Sequence, residues 1–186
     1  MFSTSPQQFR YLCYNEGQKK SKGLERIARN ENLQIKIIEM DVNIDRSVYE
    51  AIEKITTEFG KIDILVNNAG YGLFGAFEDF AMDEIKNQFE TNVFGVIRVI
   101  REVLPIMRQQ KAGIIINISS ISGLAGVPTQ SAYCATKFAV EGGMAGWSKL
   151  YDVAEVNLDS NITLKIWQVR RISKGVHKLC CCIHKR

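Results

Sequence analysis

The sequence predicts a doubly wound α/β domain built on a parallel sheet. Three observations carry that expectation. Short isoleucine-rich runs recur in "LQIKIIEMDV", "IDILVNN" and "GIIINIS", the near-continuous apolar pattern of strands covered on both faces. Helical periodicities fill the intervals between them. Polar residues gather where each run ends: Asp41 after the first, Asn67 and Asn68 after the second, Ser119 and Ser120 after the third. In an open α/β sheet that carboxyl edge is where ligands sit.

Taken in order, "QFRYLCY", Gln8 to Tyr14, is a candidate strand with no glycine turn after it, and "LQIKIIEMDV" is the first of the isoleucine-rich strands. "DRSVYEAIEKITTEFG" then places Val48, Ile52, Ile55 and Phe59 on one helical face, with Asp45 as N-cap and Gly60 as the stop. After the strand "IDILVNN", a long helix from Met82 to Gln110 carries Ile85, Phe89, Val93, Val96, Ile97 and Ile100 inward, and "GIIINIS" follows as the third strand. Beyond Gly143 the rhythm fades, with "ITLKIWQV" the one candidate strand.

The chain has 186 residues and 46% hydrophobic content, enough for one domain with a core. It shows neither a signal-peptide pattern at its start nor the ~18 consecutive apolar residues of a membrane span, so a cytoplasmic protein without a span is expected. Of five cysteines, Cys13 and Cys134 stand apart while Cys180, Cys181 and Cys182 are consecutive, a distribution that suits reduced thiols. The net charge of +4 belongs to the tail: from Lys165 onward there are seven basic residues and no acid, leaving −3 for the remainder. That tail, "KIWQVRRISKGVHKLCCCIHKR", has the uniform charge of a nucleic-acid or membrane-surface element. An unselected end accounts for it as well, and no nucleic-acid partner is expected. His177, Cys180, Cys181, Cys182 and His184 lack the usual separation of zinc ligands, so no metal is expected.

Tyr133 and Lys137 stand four apart and share a face if helical. A nearby ammonium favours phenolate and draws a tyrosine pKa down from about 10, which makes Tyr133 a candidate general acid or base. Ser120, at the end of the preceding strand, is a candidate hydrogen-bond donor to a carbonyl or alkoxide, with Ser119 its competitor. Plainer readings stand beside these. A Tyr-x-x-x-Lys pair can be exposed helix decoration, Asn67 and Asn68 can cap strand ends, Asp41 can form a turn, and Asn92 can be an exposed helical residue.

Together "DILVNNAG" (Asp63 to Gly70), "NVFG" (Asn92 to Gly95), "NISS" (Asn117 to Ser120) and "YCATK" (Tyr133 to Lys137) closely resemble the short-chain dehydrogenase/reductase family in order and spacing. "NNAGYGLFGAFED" and "YCATKFAVEG" are most similar to its hydroxysteroid and retinol dehydrogenase-type members. The resemblance implies a Rossmann-like sheet and an oxidoreductase that interconverts an alcohol and a ketone or aldehyde by hydride transfer with NAD or NADP. It implies that Tyr133 moves the proton, Lys137 lowers the tyrosine pKa and bonds the nicotinamide ribose, Ser120 orients the carbonyl, and Asn92 holds a relay water. Asp41 matches the acid that meets the adenine amino group, and Asn68, Ala69 and Gly70 match the loop beside the cofactor's adenosine half. The implied substrate is a small-molecule alcohol or carbonyl compound, lipophilic ones included. The implied assembly is a homo-oligomer through the long helix and the helix carrying Tyr133 and Lys137.

"GYGLFG", Gly70 to Gly75, matches G-x-G-x-x-G in letters only. A working dinucleotide fingerprint opens a helix directly and has an acid about 20 residues on, whereas "AFEDF" intervenes here. The resemblance instead makes this the substrate-side loop, with Leu73 and Phe74 as wall residues. The family's own glycine-rich phosphate loop is absent, because only Gly17 and Gly23 precede Gly60, and its later Pro-Gly segment is missing, since no proline follows Pro128. The resemblance runs clearly from Gln34 to Gly143, with a fainter match from Lys19. A partial Rossmann-like domain over 1–143, lacking its first βα unit, and a divergent, irregular basic tail over 144–186 are therefore expected, as from a fragmentary reading frame. The missing strand is central in the family's order, which leaves a gap that "QFRYLCY" is the candidate to fill. The residues that separate a 2′-hydroxyl from a 2′-phosphate fall where the match fails, so the cofactor stays NAD or NADP. A catalytically inactive remnant, or an interaction partner unable to bind cofactor, is the competing expectation.

Overall fold

The computed structural model describes residues 10–13, 26, 29–30, 35–151, 154–158, 164–169 and 177–181. Strands β1 (Arg10–Cys13), β2 (Ile35–Ile37), β3 (Ile64–Asn67), β4 (Gly113–Ile118), β5 (Ala154–Leu158), β6 (Leu164–Val169) and β7 (His177–Cys181) join in one sheet of order β2-β1-β7-β3-β4-β6-β5. The pairs from β2 across to β4 are parallel. β6 runs antiparallel to β4, and β5 antiparallel to β6. The isoleucine-rich runs form β2, β3 and β4, although β2 takes only the start of its run.

The expected gap is closed from two sources. β1, within "QFRYLCY", pairs with β2, and β7 lies between β1 and β3. The region after Gly143 is thus less irregular than its composition suggests, since it supplies β5, β6 and β7. The physical reason is the open ladder: β3 and β1 each present backbone N–H and C=O groups that a further strand satisfies. The five residues after β7 in the sequence, Cys182 to Arg186, include no glycine.

Helix α1 (Asp45–Phe59) buries Val48, Ala51, Ile52 and Ile55, with Phe59 packed at the margin. Its N-cap is Ile44 rather than Asp45, which lies in the first helical turn, where a carboxylate complements the helix dipole. Gly60 ends the helix at φ 72°, its N–H bonded to the Thr56 carbonyl at 2.8 Å.

The expected long helix is continuous but not uniform. α2 (Met82–Phe89) passes through a π-turn (Glu90–Phe94) into α3 (Gly95–Gln110). The wider turn rotates the inward face, so that Val96, Val99, Ile100, Val103 and Met107 are the buried side chains of α3. Gly95 is where α3 meets the carboxyl end of the β2 segment: a Cβ there would lie 2.8 Å from Val42 Cγ2. The core joins α1 and α3 to the sheet through Val42, Leu65 and Ile115. The last helix, α4 (Ser131–Tyr151), follows β4 and a short 3₁₀ turn (Ile121–Gly123).

Arg98 fixes the carboxyl edge. Its guanidinium pairs with Asp45, donates to the Val42 carbonyl at 2.6 Å and reaches Glu90 Oε1 at 2.7 Å. One side chain on α3 thereby ties the start of α1 to the π-turn. Among the described residues no helix is long and apolar enough to cross a membrane.

Candidate active site

β4 ends at Ile118, and the chain leaves the sheet through Ser119 and Ser120. Ser120 is the N-cap of the 3₁₀ turn, its Oγ accepting from the Ser122 N–H at 3.2 Å. That bond fixes the hydroxyl beside the strand end and leaves its own proton free to donate. Ser119, the competitor, is buried, and its Oγ has no protein partner.

Helix α4 carries the tyrosine and lysine as the spacing requires. Lys137 is buried at 7% exposure, its Nζ donates to the Ile118 carbonyl at 2.8 Å, and it lies 5.6 Å from the centroid of the Tyr133 ring. The lysine therefore joins the two segments that bear Ser120 and Tyr133: it bonds the residue two before the serine and stands one turn after the tyrosine. Burial lowers the Lys137 pKa to about 8, partly opposed by Glu141. An ammonium has three donors, and Ile118 takes one of them.

Asn92 is not an exposed helical residue. The π-turn buries it to 1% exposure, and its side chain grips the Tyr71 backbone at both ends. Oδ1 accepts from the Tyr71 N–H at 3.0 Å, while Nδ2 donates to the Tyr71 carbonyl at 2.8 Å and to Thr136 Oγ1 at 3.1 Å. Asn92 thus clips the loop after β3 to α4, one residue from Lys137. Gly70 is required for this closeness, because a Cβ would stand 2.9 Å from Asn92 Oδ1.

That loop runs on towards the tyrosine. A Cβ at Gly72 would lie 2.9 Å from the Phe74 ring and 3.6 Å from Tyr133 Cδ2, and the Gly75 N–H bonds the Thr129 carbonyl at 3.0 Å. No helix opens directly from Gly70 to Gly75; a 3₁₀ turn (Phe77–Asp79) intervenes before α2.

Asp41 lies half-buried past the end of β2, its N–H bonded to Ser47 Oγ at 2.8 Å and its Oδ1 accepting from the Asn43 N–H at 2.9 Å. Its turn-forming role is real, and it leaves Oδ2 for another donor. Asn68 is half-buried and Ala69 buried where the chain leaves β3. Asn67 pairs across the sheet, Nδ2 donating to Asn117 Oδ1 at 2.7 Å, so it braces the ends of β3 and β4.

Sequence reasoning missed three supporting residues. Thr136 is fully buried, donates to the Tyr133 carbonyl at 2.7 Å and accepts from Asn92. Gln88 is fully buried and donates to the Tyr71 carbonyl at 3.1 Å, doubling the Asn92 clip from one turn earlier. Asn117 is the partner of Asn67. Gln88 carried a signal as a polar residue four before Asn92 on the same helical face, while Asn117 and Thr136 stand inside the motifs "NISS" and "YCATK". Among the described residues no cluster of three metal-ligating side chains occurs.

A sheet that is parallel from β2 to β4, with a tyrosine and a buried lysine on the helix that follows β4, is the frame of a doubly wound, Rossmann-like domain. The chain belongs to the short chain dehydrogenase family, whose pattern matches residues 5–162. The 3-ketodihydrosphingosine reductase of Bacteroides thetaiotaomicron is 46% identical over 114 residues, which are 61% of this chain and 42% of that protein. Human retinol dehydrogenase 8 is 42% identical over 106 residues, 57% of this chain and 33% of that protein, in keeping with the expected likeness to retinol dehydrogenase-type members. In structure, the F189W actinorhodin polyketide ketoreductase with NADPH superposes with a TM-score of 0.71 at 27% identity, covering 75% of this chain and 54% of that one. The chain spans half or less of the length of the curated relatives it matches.

Proposed function

We propose that the protein interconverts an alcohol and a ketone or aldehyde by hydride transfer with NAD or NADP. The observation that carries this is the buried Lys137 ammonium, bonded to the Ile118 carbonyl at 2.8 Å and 5.6 Å from the Tyr133 ring. In alcohol oxidation Tyr133 takes the hydroxyl proton through its phenolate, and in the reverse direction it returns that proton to the carbonyl oxygen. Lys137 stands one helical turn from Tyr133, and its two further N–H donors suit ribose hydroxyls. Ser120 donates its free proton to the substrate oxygen. Asn92 keeps one Oδ1 lone pair for a relay water, its amide hydrogens being used on Tyr71 and Thr136. A bound nicotinamide supplies the hydride acceptor or donor at its C4.

The two ends of a dinucleotide have partners here: Asp41 Oδ2 for the adenine amino group, the backbone from Asn68 through Ala69 to Gly70 for the adenosine side, and Lys137 with Tyr133 for the nicotinamide ribose. The pyrophosphate has none among the described residues, where β7 fills the strand position beside β3 and no glycine-rich turn opens a helix from β1, β2 or β3. That favours one second reading, a catalytically inactive remnant that keeps the proton-handling set without holding cofactor, whether inert or acting as an interaction partner.

A lipophilic substrate suits the surface near Tyr133. Phe74 is 66% exposed and its ring packs over Gly72, which abuts the tyrosine. The names of the sphingoid reductase and retinol dehydrogenase relatives agree with that choice. Exposed Phe94 on the π-turn and Phe138 on α4 suit a homo-oligomer through these helices, which light scattering would measure as mass. Fluorescence titration with NADH and NADPH, followed by turnover with retinol and 3-ketodihydrosphingosine, tests the enzyme reading. Saturable binding of one cofactor and turnover of either substrate are expected; a folded chain that binds neither cofactor at millimolar concentration establishes the second reading instead.

A further inference from the structure

The adenine end of a dinucleotide would meet two segments, Asp41 beyond β2 and the backbone from Asn68 to Gly70, and both are tied to the π-turn. Asn92 ties the second, through its bonds to the Tyr71 backbone at 3.0 and 2.8 Å. Arg98 ties the first: its guanidinium donates to the Val42 carbonyl at 2.6 Å and, at 2.7 Å, to Oε1 of Glu90, the residue that opens the π-turn. Val42 follows Asp41 directly and is 1% exposed, so its carbonyl needs a donor from within the protein. A second contact holds the same residue in place, because a Cβ at Gly95 would lie 2.8 Å from Val42 Cγ2. The bonds of Asp41 itself are local. Its N–H meets Ser47 Oγ at 2.8 Å, its carbonyl accepts from the Ile44 N–H at 3.2 Å, and its Oδ1 accepts from the Asn43 N–H at 2.9 Å. They shape the turn without joining it to α3.

We propose that Arg98 is a positioning residue for adenine recognition: it holds the Asp41–Val42 segment against the π-turn and so fixes the span between Asp41 Oδ2 and the Asn68–Gly70 backbone. The inference rests on the dinucleotide reading of the site. An arginine suits the task because its planar fork directs several donors at once, here to the Val42 carbonyl and to the carboxylates of Glu90 and Asp45. Hydrogen bonds from an ionised donor are also short and strong, which limits drift of the segment they hold. Arg98 stands outside the proton-handling set, and its effect passes through Asp41.

The test uses the full chain. Arg98→Met keeps the apolar stem and removes the guanidinium. Asp45 and Glu90 keep 88% and 39% of their side-chain surface in solvent, so no charge is stranded in the core and native circular dichroism should be retained. Should it be lost, Arg98→Lys, which keeps the charge without the fork, takes its place under the same criteria. NADH and NADPH are titrated by fluorescence into the natural chain, Arg98→Met, Asp41→Ala and the double variant. The cofactor that binds the natural chain should bind Arg98→Met about three- to thirtyfold more weakly, and the loss should appear in the cofactor KM and not in kcat at saturating cofactor. The double variant should bind no more weakly than Asp41→Ala alone, because the arginine acts through that carboxylate. Equal affinity of the natural chain and Arg98→Met, or losses that multiply in the double variant, would overturn the proposal and leave the oxidoreductase reading standing. A natural chain that binds neither cofactor would end both.

Discussion

Replacing Lys137 by methionine should stabilise the fold at neutral pH and remove the stability gain that the natural chain shows in alkali. Lys137 is buried, and its pKa falls from 10.5 to about 8. That fall corresponds to about 3 kcal/mol spent on keeping the side chain charged below pH 8. Methionine fills similar space without charge. Against this, the Ile118 carbonyl loses a charge-assisted hydrogen bond of about 1–2 kcal/mol, and Glu141 loses a neighbouring cation. The net expected at pH 7 is a gain of about 1 kcal/mol. The pH dependence is the sharper readout. A lysine with a lowered folded pKa binds fewer protons folded than unfolded between about 8 and 10.5. Stability of the natural chain therefore rises with pH across that window, and the cost is fully present below it. Urea unfolding followed by circular dichroism at pH 7, 8, 9 and 10 measures both chains, and their difference cancels the titrating groups that do not interact with Lys137. The variant's advantage should shrink and reverse as pH rises. A difference that stays constant from pH 7 to 10 would refute the reasoning, because it would mean that burial imposes no charging cost on this side chain.

Three further outcomes are expected. Tyr133→Phe should lower turnover by about 10²-fold or more with unchanged urea stability, measured with the cofactor and substrate found in the binding assays. Gly70→Ala should cost about 1–3 kcal/mol by urea unfolding, because the new methyl meets Asn92 Oδ1 at 2.9 Å and loosens the clip on Tyr71. Leu65→Ala should cost about 2–5 kcal/mol in the same assay, since Leu65 is fully buried in the core beneath α1 and α3.

What could be read in advance was local. The helical spacing of Tyr133 and Lys137, the isoleucine runs of β2, β3 and β4, and the glycine stop at Gly60 depend on periods and on one residue's conformational freedom. The bond from Lys137 to the Ile118 carbonyl was not legible, because it joins two elements whose approach is set by packing. The π-turn at Glu90–Phe94 has no composition signature, so the burial of Asn92 and the rotated face of α3 could not be read from the helical period. The cross-strand Asn67–Asn117 bond required the register of β3 against β4. β7 was hidden for another reason: "HKLCC" is short, basic and without alternation, and its strand state comes from the two neighbours it joins.

The place of β7 also orders the events of synthesis. β3, α3 and β4 follow one another closely and can associate soon after they emerge, whereas β1 cannot reach the rest of the sheet until residues 177–181 arrive between it and β3. Closing contacts so distant in sequence is slow, and until they form the nascent chain shows two open ladders to its surroundings. Yield in a cell-free translation should therefore depend on a holding chaperone more steeply than the modest size of the domain suggests.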